Sequence, residues 1–300
     1  MSDPNQQWTP PPPPPGAPPT TKLEGPEMST PATLSGIFFE PGRTFEALRR
    51  RPRFLVVGLI LLALTIGVTA LVYQDAILNL DYERLGRRMR ELASRMAERE
   101  LRIRDPAGTD LSLRTGVRFH INDGDASKEK VAHAASARDR EEEIPCGALR
   151  TIPLPDAVEG VIALRQGFGY PAVGYGLGID QWLGHGLRFY FEKGRIRRVE
   201  TDGDQAGLDR AWAAETGDKD RLGELVLGCN PLLKRIDGLA FPPYHGFGEA
   251  VLRLTIGENV ESGGRYRSSL HRWLMFVEAD ISAGDDLIVS KGRLIAAAEA

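Results

Sequence analysis

The sequence predicts an α+β domain, with hairpins mixed with helices, preceded by a Pro-rich disordered tail and one transmembrane helix. Three observations carry this. Twenty residues, Phe54 to Tyr73, run without a single charge. Six consecutive prolines, Pro10 to Pro15, lie ahead of that run. Beyond it, short apolar stretches alternate in pairs around turn residues and are interspersed with stretches of helical period. The parts divide at 1–33 (tail), 34–53 (basic juxtamembrane segment), 54–73 (transmembrane helix) and 81–300 (the large domain).

Proline fixes φ and lacks an N–H, so the tail reads as extended polyproline II. It serves as a solvated spacer or as a ligand for an aromatic-grooved adaptor. In the next segment, Pro41 and Gly42 make a turn, and Thr44 is placed to cap a short helix reaching Arg51. Ile37, Phe38, Phe39, Phe45 and Leu48 give it an apolar side, with Arg49, Arg50, Arg51 and Arg53 beside it. That pairing suits a headgroup interface.

At about 1.5 Å per residue the uncharged run makes a helix of roughly 30 Å, the depth of a bilayer's hydrocarbon core. More than fifty residues come first and no small-residue cleavage site follows, so it reads as an uncleaved anchor. Four arginines lie within the five residues before the span, while Asp75 and Asp81 open its far side. The positive-inside rule then puts the N-terminus in the cytoplasm and the large domain across the membrane. Arg84, Arg87, Arg88 and Arg90 blunt the asymmetry.

In the large domain, Leu85, Met89, Leu92 and Met96 recur at helical steps, predicting an amphipathic helix over Asp81–Glu100. Leu101 and Ile103, a turn at Asp105–Gly108, then Leu111 and Leu113 predict a hairpin. A second runs through Leu187–Phe191, turns at Lys193-Gly194 and returns through Ile196 and Val199; a third closes the chain at Leu287–Ile295. Leu208–Ala214 and Asp218–Leu227 read as helices, the latter capped by Asp218 and stopped at Gly228–Pro231. The aperiodic stretch Asp123–Glu143 reads as a surface loop or partly disordered segment, and Gly167–Gly178 as a glycine-punctuated loop.

Net charge is −3, and the residues after 74 carry 32 basic and 36 acidic side chains. No basic surplus exists to neutralise a phosphate backbone, so nucleic-acid binding is not expected. Two cysteines, Cys146 and Cys229, form one disulfide or none. His120, His133, His185, His245 and His271 show no His-x-x-x-His spacing, and neither a nucleophile elbow nor a phosphate loop occurs. Glu141, Glu142 and Glu143 read as a solvated run. Glu224 differs. It sits in Leu222-Gly-Glu-Leu-Val-Leu-Gly228, where a buried carboxylate needs a cation, a hydrogen bond or exposure. His271 likewise lies beside apolar residues.

Two resemblances follow. Phe39-Glu-Pro-Gly-Arg-Thr-Phe45, with Arg-Pro-Arg and an apolar helix after it, resembles the start of bacterial Yip-family membrane proteins. Those continue with further membrane helices, so this likeness ends near Tyr73. The C-terminal two thirds resembles the thermophilic, metal-dependent aminopeptidase T-like family. The matching segments, in order, are Asp105–Leu111, Ile144–Gly147 with Glu159-Gly160, Leu187–Val199, Leu222–Pro231, Gly257–Asn259, Gly263-Gly264 and Ser268–His271, and the last hairpin also fits.

That family holds two metal ions through two Glu, two His, a Tyr and an Asp. Carried over, the first Glu position is Ala148, the second Glu is Glu224, and the first His falls at Arg253 or Leu252. The Tyr has no secure counterpart, Tyr266 being near in sequence. The second His is His271, and the Asp is Trp273. The resemblance thus leaves Glu224 and His271 as metal ligands. Two cations about 3.5–4 Å apart need several anionic ligands, so a pair is not expected. One divalent ion such as zinc would need Glu143, His245 or another group to move in. Alternatively, Arg253 pairs with Glu224 in the ion's stead.

The expectation is a membrane-anchored, aminopeptidase-like domain with an eroded metal site, binding peptides or a partner without efficient hydrolysis. The alternative is an active metal-dependent aminopeptidase, releasing N-terminal amino acids with rearranged ligands. A pure assembly scaffold and a joining of two gene fragments near 74–81 are the remaining readings. The resemblance also implies a homodimer.

Overall fold

The computed structural model describes residues 39–50, 77–134, 138–166, 170–233 and 248–295, together with 32, 62–64, 66 and 67. The chain divides into two compact units, Met1–Val68 and Thr69–Ala300.

In the first unit, α1 (Pro41–Arg50) begins at a proline, whose missing N–H would be unpaired at a helix start in any case. The helix therefore starts three residues before the expected Thr44 cap. Thr44 is buried inside it and donates its hydroxyl back to the Glu40 carbonyl at 3.0 Å. The proline-rich tail and most of the 54–73 span lie outside the described residues. Positions 62–64, 66 and 67 are helical. Among the described residues, no helix is long and apolar enough to cross a membrane.

The second unit opens with α2 (Tyr82–Met96), whose first turn is capped by Asp81 accepting from the Arg84 N–H at 2.9 Å. The predicted stripe Leu85, Met89, Leu92 and Met96 is buried. The helix stops before the expected Glu100, because Ala97 is extended and Glu98 takes a positive φ. The strands are β1 (Glu100–Arg104), β2 (Asp110–Thr115), β3 (His120–Asn122), β4 (Ala148–Thr151), β5 (Pro153–Leu164), β6 (Tyr170–Tyr175), β7 (Leu187–Glu192), β8 (Arg195–Thr201), β9 (Leu222–Gly228), β10 (Leu252–Gly257), β11 (His271–Phe276), β12 (Asp280–Ala283), β13 (Asp286–Ser290) and β14 (Arg293–Leu294). Short helices α3 (Lys128–Ala132), α4 (Asp180–Leu183) and α5 (Gln205–Ala214) and a 3₁₀ turn at Arg138–Arg140 connect them.

Among the described residues the strands form two sheets, ordered β14-β13-β12-β1-β2-β5-β7-β8 and β3-β4-β9-β10-β11-β6. Neighbouring strands pair antiparallel throughout. Leu101, Ile103, Leu111, Leu113 and Phe189 of the first sheet share one core with Leu149, Leu225, Leu254 and Leu274 of the second. The stripe of α2 joins the same core. The fold is thus mixed α/β, with antiparallel sheets and few helices. The three predicted hairpins are β1–β2, β7–β8 and β13–β14. At the β7–β8 turn, Lys193 and Gly194 both take positive φ, as a two-residue hairpin demands.

Three expectations are corrected. Asp218–Leu227 is not a helix: Leu222–Gly228 is β9, at the middle of the second sheet. Strands covered on both faces lose their alternation and read like buried helix. Asp218 instead staples a loop, accepting from the Arg267 N–H at 3.0 Å. Within the 167–178 segment, 170–175 form an edge strand against β11, and Gly174 allows the close approach of the His271 carbonyl. The Asp123–Glu143 segment carries α3 and the 3₁₀ turn. Within it Glu142 is engaged: it accepts from Asn122 Nδ2 at 2.8 Å and from the Gly124 N–H at 3.0 Å, and pairs with Lys130.

Candidate functional site

The period-two pleat of a strand sorts alternate side chains to opposite faces. In the second sheet, one face joins the core through Leu149, Leu225, Leu252, Leu254 and Leu274. The opposite face carries a different chemistry. Register pairs Thr255 with Glu224 and Trp273, Gly257 with His271, Val226 with Arg253 and Arg150, and Arg150 with His120. His120, Arg150, Glu224, Arg253, Thr255, Trp273 and His271 therefore share that outer face. Every residue of β9 and β10 is buried, so Glu224, Arg253 and Thr255 are covered as well, while His120 and Trp273 are half-buried.

Its centre is an ion pair. Arg253 Nη2 donates to Glu224 Oε2 at 2.8 Å, with the side chains 1% and 2% exposed. Burial draws the Arg253 guanidinium below its usual range, and the Glu224 charge partly offsets that. The guanidinium also lies 4.2 Å above the Trp273 ring centroid, a cation–π contact. The His271 ring meets Trp273 edge-on at 5.7 Å and stacks on Tyr175 at 5.5 Å. His271 Nδ1 lies 2.9 Å from the Glu258 carbonyl oxygen. The Tyr175 hydroxyl donates to Glu258, and that hydrogen bond, with burial and the Glu258 charge after it, pushes the phenol up to about 12.

Beyond Arg150 the face becomes denser in charge. Arg138, buried in the 3₁₀ turn, donates Nη1 to Glu141 at 2.6 Å, and Arg150 pairs with Glu143. Arg118 pairs with Asp139. Arg118, Arg138, Asp139 and Arg150 border a cavity of about 270 Å³ that reaches Glu224. His120 lines it with neither ring nitrogen hydrogen-bonded. Burial, then the charges of Arg138 and Lys130, hold its pKa below the usual histidine range.

The sequence-predicted positions Ala148, Glu224, Arg253, His271 and Trp273 all fall on this face. Of the two placements for the first family histidine, Leu252 points into the core and Arg253 into the site. Tyr266 is separate: its N–H donates to Asn259 Oδ1 at 2.8 Å and its ring lies beside Arg221. His133 and His185 are exposed on connections outside the sheet. His245 lies outside the described residues. Cys146 and Cys229 are free and buried, and burial pushes both thiols up to about 12. Sequence reasoning passed over Arg138 and Arg150, which carry no spacing signal, and weighed His120 only as one of five dispersed histidines.

No family model and no curated protein matches the sequence. Among solved structures, the chain is similar to 2,5-dihydroxypyridine dioxygenase from Pseudomonas putida KT2440. The identity is 19% and the TM-score 0.53, over 73% of this chain and 61% of that one. It is also similar to wild-type AmpT from Thermus thermophilus, at 18% identity and a TM-score of 0.48, over 74% of this chain and 57% of that one. The chain thus spans about three fifths of the length of each. The first likeness shows a shared fold.

Proposed function

We propose that residues 81–300 form an aminopeptidase-like binding domain in which a buried guanidinium stands where the resembled family places a metal ion. On this reading it binds peptides or a partner at a membrane and does not hydrolyse them. The Arg253–Glu224 contact carries the proposal. Glu224 and His271 are the ligands the resemblance retains, and zinc the ion they would take. The donor set does not fit such an ion. Glu224 already neutralises Arg253, and a divalent cation beside that guanidinium would be repelled. Among the described residues, no three His, Cys, Asp or Glu side chains gather as a metal site would need.

The membrane part of the proposal rests on the uncharged 54–73 run, in which Leu62, Leu64 and Ile66 are exposed. The N-terminus is then cytoplasmic and the domain on the far side. Homodimerisation follows only from the family resemblance.

The test is turnover of aminoacyl reporters by the full chain in lipid nanodiscs, alongside anisotropy with labelled peptides. The expected result is peptide binding that a chelator does not change, with no turnover when zinc or cobalt is added. Turnover abolished by chelator and by Glu224→Gln would establish the active-aminopeptidase alternative instead.

A further inference from the structure

We infer that the cavity beside Glu224 is a site for a small amphipathic carboxylate, its charged end held by Arg138 and His120 and its apolar body lying toward Val117 and Leu154. The inference rests on the binding reading above only for its location, and it names the ligand's chemistry.

The cavity lies between the β2–β3 connection, the β4–β5 corner and the 3₁₀ turn. Its 270 Å³ corresponds to about nine water volumes, room for a ligand of some ten heavy atoms. The two ends differ. Val117 and Leu154 are 71% and 41% exposed and form an apolar mouth. Arg138, Arg150 and Glu224 are almost fully buried and form the floor.

Charge on the floor decides the ligand's sign. Its carboxylates are engaged: Glu224 with Arg253, and Asp139 with Arg118. Just behind, Glu141 and Glu143 hold Arg138 and Arg150. Arg138 Nε and both nitrogens of His120 are shielded from solvent and have no partner. A buried donor left unmade costs roughly 1–3 kcal/mol. A guanidinium N–H can only donate, and a neutral imidazole has one N–H to give. Both are answered by an acceptor, and a carboxylate offers two oxygens. A cationic ligand would face Arg138 and Arg150 with no open carboxylate among the lining residues.

A carboxylate of this kind could be a free organic acid or a peptide C-terminus. The experiment uses the full chain in nanodiscs and measures benzoate against benzamide by calorimetry, and one tetrapeptide with a free or amidated C-terminus by anisotropy. Benzoate is expected to bind and benzamide to fail. Arg138→Gln should weaken benzoate at least about tenfold. Because Arg138 also supports the turn, Val117→Trp provides a second variant; it should block benzoate from the exposed rim while leaving the floor intact. The His120 ring resonances should shift on benzoate addition. A free peptide binding more tightly than its amide identifies the C-terminus as the source, and equal binding with benzoate retained identifies a free acid. Benzoate binding no tighter than benzamide, or unaffected by both variants, overturns the assignment. Peptide binding that survives such a result leaves the binding reading standing. Benzoate binding without any peptide binding does the reverse.

Discussion

Arg253 and Glu224, 29 residues apart in sequence, meet at 2.8 Å on adjacent strands, with almost no solvent reaching either. Taking two charges from water is expensive, so such a pair is a weak source of net stability, but breaking it strands a buried charge. Arg253→Ala should therefore destabilise the domain by about 3–5 kcal/mol in chemical denaturation. The double substitution Arg253→Met with Glu224→Leu should recover most of that loss. Equal losses in the single and double variants would show that the pairing itself is unimportant.

His120 sets an acid limb. Its folded-state pKa lies below the reference 6.5, so the neutral ring is held in the fold while the unfolded chain takes up a proton. Above about 6.5 neither state is charged and the residue has no pH effect. As pH falls below that value, stability should decline, levelling off once the folded ring protonates. His120→Asn should flatten this part of the stability–pH curve, which denaturant midpoints between pH 7 and 5 would report.

Both thiols, raised to about 12 by burial, should be inert near neutrality. Native protein at pH 8 should leave Cys146 and Cys229 unlabelled by a thiol reagent, and denatured protein should label both. Rapid native labelling of either would contradict the burial described.

Gly194 permits the β7–β8 turn. At φ 71°, an added Cβ would lie 1.7 Å from the Pro155 carbonyl oxygen, a backbone atom that cannot swing aside. Gly194→Ala should cost more than the roughly 1 kcal/mol of positive φ alone. Gly284→Ala, also at positive φ but with open space around it, isolates that smaller cost. Thermal unfolding of the two variants compares them directly.

The hairpins and α2 were legible because their signals are local: Lys193-Gly194 fixes a turn, and Leu85, Met89, Leu92 and Met96 fix a face. β9 was not. Packed on both faces, Leu222–Gly228 carries no alternation, and its Gly223 falls at the bulge where register with β10 shifts. The need for a partner at Glu224 was legible because a carboxylate among apolar residues is costly to bury alone, and the family resemblance offered Arg253 as that partner. The Arg138, Arg150 and His120 cluster was not, since a turn and two short edge-side strands assemble it from unrelated spacings.

The central claim is that a guanidinium occupies the cation's place at Glu224. Metal content of the full chain by mass spectrometry, after equilibration with zinc or cobalt and removal of excess, tests it most directly. No stoichiometric ion is expected in the wild-type chain. A stoichiometric zinc or cobalt ion that disappears in Glu224→Gln would contradict it.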